Sequence, residues 1–193
     1  MKNKKTIIVS LILLIVVSAV YRVLPRPTGL YGFAPQIAMA IFGGAIFRND
    51  KKWAFALPII SMFVGDLLFQ ILYNNGLTQL YGFYPGQLQN YILFAALTMI
   101  GFLIKKINVL NVLIAAIASP TIYFLISNFL VWAGNNQATR GLDRPRTFNG
   151  LMLCYNDGLP FYPGSLIGTV FFSTILFGGY YLIKRNSMQH QTA

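Results

Sequence analysis

The chain has no glutamate, and its four acidic residues are all aspartates: Asp50, Asp66, Asp143 and Asp157. It has a single cysteine, Cys154, and a single histidine, His190. One cysteine excludes an intramolecular disulfide and any cysteine-cluster metal site. One histidine, placed in the polar stretch NSMQHQTA and read there as part of a solvated, disordered tail, leaves no basis for a His-centred catalytic or metal site. No Gly-Lys-Ser/Thr phosphate loop is present, so the chain brings no nucleotide-binding signature of its own. No Ser/His/Asp set, no His-Glu-x-x-His and no pair of acids within one apolar run points to hydrolysis. The expectation is a protein that is not an enzyme and needs no cofactor and no bound metal.

Charge is scarce as well. Charged residues make up 10% of the 193 residues, against roughly 25% in soluble domains. Such a chain lacks the polar surface to cover a water-exposed fold. Hydrophobic residues instead make up 56%, and mean hydropathy is +0.61. The net charge of +11 raises the question of nucleic acid. The basic residues, however, sit in short clusters between apolar runs, which is the pattern of a positive-inside topology signal. No nucleic-acid partner is expected.

Six apolar segments can be marked, roughly Thr6–Leu24, Phe33–Phe47, Trp53–Tyr73, Leu88–Ile104, Val109–Ala133 and Tyr162–Ile183. About 20 apolar residues span a bilayer core. The second segment is short and opens on Ala34-Pro35, so it reads as tilted, re-entrant or extended outward. An N-terminus inside places Lys2, Lys4, Lys5, Arg48, Lys51, Lys52, Lys105, Lys106, Lys184 and Arg185 in the cytoplasm. The opposite face keeps Arg22, Arg26, Arg140, Arg144 and Arg146, a two-to-one bias that favours both termini inside. The predicted fold is therefore all-α, a polytopic bundle of about six transmembrane helices. Residues 1–187 form one domain with an external loop at 134–161, and residues 188–193 form a polar tail. Lys2 to Lys5, the following apolar run and Val17-Ser18-Ala19 also resemble a cleavable secretory signal. The run continues through Val20 and Tyr21 and no ordinary soluble domain follows, which favours a retained span.

Asp66 is the most informative residue. It lies within Trp53–Tyr73, about 13 residues in and so roughly 20 Å from the start of that helix. An ionisable group at such depth is costly and usually functional. Two readings stand: pairing with Arg22 or an amide, which would lock the bundle, or a site for a ligand, ion or proton. Asn128 and Ser127 share its external depth. Phe83-Tyr84-Pro85-Gly86 and Phe161-Tyr162-Pro163-Gly164 each precede an apolar run that ends in Leu-Ile and a basic pair. Equivalent helix starts at the outer face are therefore expected. Ala40 and Gly44 form a small-xxx-small pair suited to close helix packing, within the bundle by default or against a partner subunit. Pro58 and Pro120 interrupt two spans. In the long connection 134–160, the apolar stretch Phe148 to Leu153 is expected to dip back towards the bundle, bringing Cys154 and Tyr155 near a pocket mouth.

The stretch from Phe33-Ala34-Pro35-Gln36 to Gly43-Gly44-Ala45 resembles an uncharacterised family of bacterial multi-pass membrane proteins described as transport proteins. Gly65-Asp66-Leu67-Leu68 and the run from Cys154 through Leu159-Pro160-Phe161-Tyr162 to Leu176-Phe177-Gly178 resemble it too. The likeness covers most of the chain from about Phe33 onward, with moderately specific motifs. That family in turn is similar to the substrate-binding S components of energy-coupling-factor (ECF) transporters. The resemblance implies a six-helix protein that takes a vitamin- or metal-type solute from outside and docks on ATPase and coupling subunits. One departure stands out. S components often carry an Ala-x-x-x-Ala docking motif in the first helix, and Thr6–Leu24 has none, so a solitary carrier remains the alternative.

The reading is a protein of the bacterial inner membrane that captures a small molecule at its external half, with the lipid bilayer as its other partner. The candidate substrate-binding residues are Asp66, Asn90, Asn128 and Tyr162, with Asp157 on the lid. Asp66 would accept hydrogen bonds or a cation, the amides would orient polar groups, and Tyr162 would stack. The main rival is a non-catalytic membrane scaffold or envelope-assembly subunit, which needs helix surfaces but no hydrated pocket. A lipid-directed membrane enzyme using Asp66 as acid or base is a third reading.

Overall fold

A computed structural model describes residues 4–24, 30–134 and 144–189. The element order is α1 (Lys4–Val23), α2 (Gln36–Ile46), α3 (Lys51–Asn74), α4 (Gln87–Leu103), α5 (Val109–Ala133), α6 (Phe148–Gly158), a 3-10 turn (Leu159–Phe161) and α7 (Tyr162–Gln189). Among the described residues the fold is all-α, and each of the six apolar segments read from the sequence falls on a helix. Lys51–Asn74, Val109–Ala133 and the stretch Phe148–Arg185 are long and apolar enough to cross a membrane. Ile12–Val23, Gln36–Ile46 and Gln87–Leu103 are shorter apolar helices.

Two expectations need correction. The connection 134–161 is not all loop, because α6 occupies much of it. Thr147 caps that helix by accepting from the Gly150 amide at 3.2 Å. Nor is the polar tail wholly irregular, since α7 continues through Asn186 to Gln189. Extending an existing helix adds one hydrogen bond per residue and needs no new nucleus, so polar composition alone does not stop it. Lys2, Arg26, Asn135, Asn136, Gln137, Arg140, Asp143 and His190 lie outside the described residues.

Helix α2 organises the bundle. Every residue from Gln36 to Gly44 is buried, and the helix packs against α3, α4, α5 and α7. Its small residues set the spacing. A side chain at Gly44 would collide with the Thr98 carbonyl and come within 2.9 Å of the Gly101 Cα, while one at Gly101 would strike the Ile41 carbonyl. Backbone therefore rests on backbone where α2 crosses α4, as small-xxx-small sequences permit. The Ala40/Gly44 pair is spent inside the bundle. Phe42 stacks edge-on against Phe177 of α7 at 5.2 Å, closing the opposite side.

The length of α2 matters as much as its packing. Its 11 residues rise about 16 Å, whereas the 24 of α3 and 25 of α5 rise about 36 to 38 Å. α2 fills only one half of the bundle axis, and its N-terminus at Gln36 lies in the interior.

The surface is apolar where a soluble protein would be charged. Ile60, Phe63, Leu67 and Ile71 of α3 are exposed, as are Leu113, Ile117, Leu125 and Phe129 of α5 and Ile167, Phe171 and Ile175 of α7. Polar groups turn inward instead: Ser18, Gln36, Asp66, Gln87, Thr98 and Thr169 are buried. This arrangement fits lipid as the surrounding solvent. Charge gathers at one end, where Arg48, Lys51, Lys52, Lys105, Lys106, Lys184 and Arg185 are all exposed. Arg48 also donates to the Phe102 carbonyl in the last turn of α4, where a cation suits the helix dipole.

Candidate functional site

At the end of the bundle away from that basic cluster, the interior opens into a cavity of about 770 Å³. It lies beyond the N-terminus of α2, with Ala34, Gln36 and Ile37 contributing to its wall. Phe94 of α4, Tyr123 and Phe124 of α5, Phe161 of the 3-10 turn and Tyr162 of α7 supply aromatic faces, joined by Tyr84 from the loop before α4. Polar groups reach the same space from Arg22, Gln89, Asn90, Ser127, Asn128, Asp157 and Ser165. A mostly apolar wall with a few placed polar groups, at this volume, is the usual form of a small-molecule site.

The structure brings together four of the five residues proposed from the sequence. Asn90 lies between two phenols: its Nδ2 donates to Tyr84 Oη, and its Oδ1 accepts from Tyr123 Oη at 3.2 Å. Asn128 Nδ2 donates to the Phe124 carbonyl one turn back, at 2.8 Å. Gly158 presses on that amide so closely that a Cβ there would overlap it. Tyr162 Oη is 2.8 Å from Thr121 Oγ1, and its ring lies 5.1 Å from that of Phe124. Asp157, near the end of α6, receives two bonds from Arg144, Nε to Oδ2 and Nη2 to Oδ1, each 2.8 Å. This two-point pairing fixes both groups more firmly than a single contact would.

Asp66 is placed differently. It is 1% exposed and does not line the cavity. Arg22 stands between it and the open space, with Nη1 donating to Asp66 Oδ1 and also to the Met62 carbonyl at 3.0 Å. Tyr91 Oη donates to Asp66 Oδ2 at 2.6 Å, and Gln87 Nε2 donates to the same oxygen. Gln87 and Tyr91 are one turn apart on α4, so they address the carboxylate from one face. The guanidinium also lies 5.6 Å above the Phe69 ring. Asp66 thus pairs with both Arg22 and an amide, and Arg22 presents the charge to the cavity.

α6 closes one side of the cavity, and it and the residues just before it are stitched to α5. Trp132 Nε1 donates to the Pro145 carbonyl at 3.0 Å, Tyr155 Oη to Leu125 at 3.2 Å, and Cys154 Sγ to Asn128 at 3.4 Å. Cys154 is buried and lines the cavity. Phe148–Leu153 lies on this helix, but the expected dip of that stretch towards the bundle is not seen: Phe148, Met152 and Leu153 are exposed, and it is Cys154 that the helix turns to the cavity.

Sequence reasoning missed the parts played by Tyr84, Gln89 and Tyr123. The signal was present. Tyr123, Phe124, Ser127, Asn128 and Val131 recur at helical spacing and all line the cavity. The repeated Phe-Tyr-Pro-Gly motif also proves less uniform than expected. Gly86 turns the chain with φ +86° before α4 begins, whereas Gly164 lies inside α7. The first copy follows a loop and the second follows a helical turn, so the same letters adopt two conformations. Both nonetheless bring their tyrosine, Tyr84 and Tyr162, to the cavity.

The chain belongs to a family of unknown function (DUF6580), whose model matches residues 2–191. No curated protein and no solved structure matches it.

Proposed function

We propose that this family member is a multi-pass protein of the bacterial inner membrane that captures a small organic solute at its external half, as a transporter or its substrate-binding subunit. The observation that carries the reading is the cavity of about 770 Å³, walled by aromatic rings and amides at the end opposite the basic cluster of Arg48, Lys51, Lys52, Lys105, Lys106, Lys184 and Arg185. If that basic end faces the cytoplasm, as positive-inside loops favour, the cavity faces outward. A scaffold needs helix surfaces for partners and no such cavity. An organic solute suits the walls better than a bare metal ion, since no group of three or more His, Cys, Asp or Glu side chains is found among the described residues. Asn90, Asn128, Asp157 and Tyr162 are the proposed contact residues, and Asp66 acts through Arg22 as a positioning residue. The similarity to S components extends the proposal to an ATPase partner, with a solitary carrier as the other arrangement.

Gentle detergent purification followed by mass spectrometry of retained small molecules tests this directly. The native protein is expected to carry a bound solute. Ser127→Trp, which fills the cavity, is expected to lose it and to abolish uptake in cells. No retained solute, together with unchanged uptake in Ser127→Trp, overturns the proposal.

A further inference from the structure

Among the described residues two charged side chains reach the cavity, Arg22 and Asp157, and each is matched by a charge outside the lining. Arg22 is held by Asp66, which is itself secured by Tyr91 and Gln87. Asp157 has both carboxylate oxygens engaged by Arg144. An anionic ligand would have to compete with Asp66 for the guanidinium. A cationic ligand would have to displace Arg144 from a two-point pairing. Either exchange also strips water from the incoming charge, and one paired charge cannot repay that loss.

The neutral groups are less fully used. Asn90 carries two N–H donors and an oxygen with two lone pairs, and its contacts with Tyr84 and Tyr123 occupy one of each kind. Asn128 spends one N–H on the Phe124 carbonyl and keeps its side-chain oxygen for another donor. These amides sit beside the broad rings of Phe94, Tyr123, Phe124 and Tyr162.

We infer that the cavity selects an uncharged, flat solute bearing both a donor and an acceptor on its edge, and that Asp66 and Arg144 set this selectivity by masking the charges of Arg22 and Asp157. The inference rests on the capture reading above and narrows it to a class of ligand.

The test uses the full chain in detergent and three fluorescent probes that share one ring system: anthracene-9-carboxamide, anthracene-9-carboxylate and 9-(aminomethyl)anthracene. Binding is read by anisotropy, with Ser127→Trp correcting for uptake into micelles. The carboxamide is expected to bind at least about tenfold more tightly than either charged probe, or about 1.4 kcal/mol. Asp66→Asn unmasks Arg22 and is expected to tighten the carboxylate probe about tenfold. Asp157→Asn, which removes the carboxylate that pairs with Arg144, gives an independent variant with the same expected direction should the first fail to fold. Equal or tighter binding of either charged probe to the native protein overturns the inference and leaves solute capture standing. So does unchanged carboxylate binding in the variant that folds. Binding of no probe while a native solute is still retained rejects the flat, uncharged class alone. Loss of both rejects the capture reading too.

Discussion

The two halves of this bundle are built by the same helices from different residues. In the half that holds α2, glycine and alanine let backbones touch, as at Gly44 and Gly101. In the other half α4, α5 and α7 run on beyond the N-terminus of α2, and aromatic rings and amides line the space it leaves. The cavity exists because one helix is short. Packing in an apolar solvent gains little from burying further apolar surface, since lipid tails are as apolar as leucine. Close backbone contact must then hold the filled half, which leaves the open half for the proposed solute.

Substitutions can break or sharpen this contrast. The largest effect is expected at the seam, where Arg22→Met leaves the Asp66 carboxylate buried without its cation, at about 3–5 kcal/mol of stability. Thermal unfolding in detergent would measure it, and pairing the change with Asp66→Leu should recover most of the loss. Next comes the packed half: Gly44→Ala forces α2 and α4 apart and should cost about 1–3 kcal/mol. A cost as small as that of Ser→Ala on the exposed surface would contradict the backbone contact. In the open half, Asn90→Ala should change stability by under about 1 kcal/mol while weakening the retained solute about tenfold, the loss of one hydrogen bond to a ligand. The smallest effect is expected for Cys154→Ser, within about 1 kcal/mol. The native thiol, 1% exposed, should react with a maleimide too bulky for the cavity far faster on unfolding, which makes it a probe for the other variants.

Much of the architecture was legible from apolar run length, because a helix that must cross about 30 Å of hydrocarbon announces itself. The end of α5 at Ala133 follows this signal, as does the start of α3 near its lysines. The shortness of the Phe33–Phe47 run was also visible, but not that it makes the cavity. That depends on which neighbours continue past it. The candidate residues on α4, α5 and α7 could be found because polar groups stand out in apolar helices. Asp66 stood out for the same reason, yet its placement behind Arg22 could not be read. Sequence depth fixes a residue's height along the bundle and not the side of the helix that meets open space. Tyr84 stood out only as part of a helix start and Tyr123 not at all, because tyrosines at a membrane interface are common.

The buried position of α2 also bears on how the protein is made. An apolar stretch of 11 residues, about half of what a bilayer core requires, cannot settle alone among lipids while the chain is being synthesised. It has to wait for α4, α5 and α7 to emerge and enclose it. Maturation should therefore end with a late seating step, and chains truncated before α7 should leave that segment open to proteases.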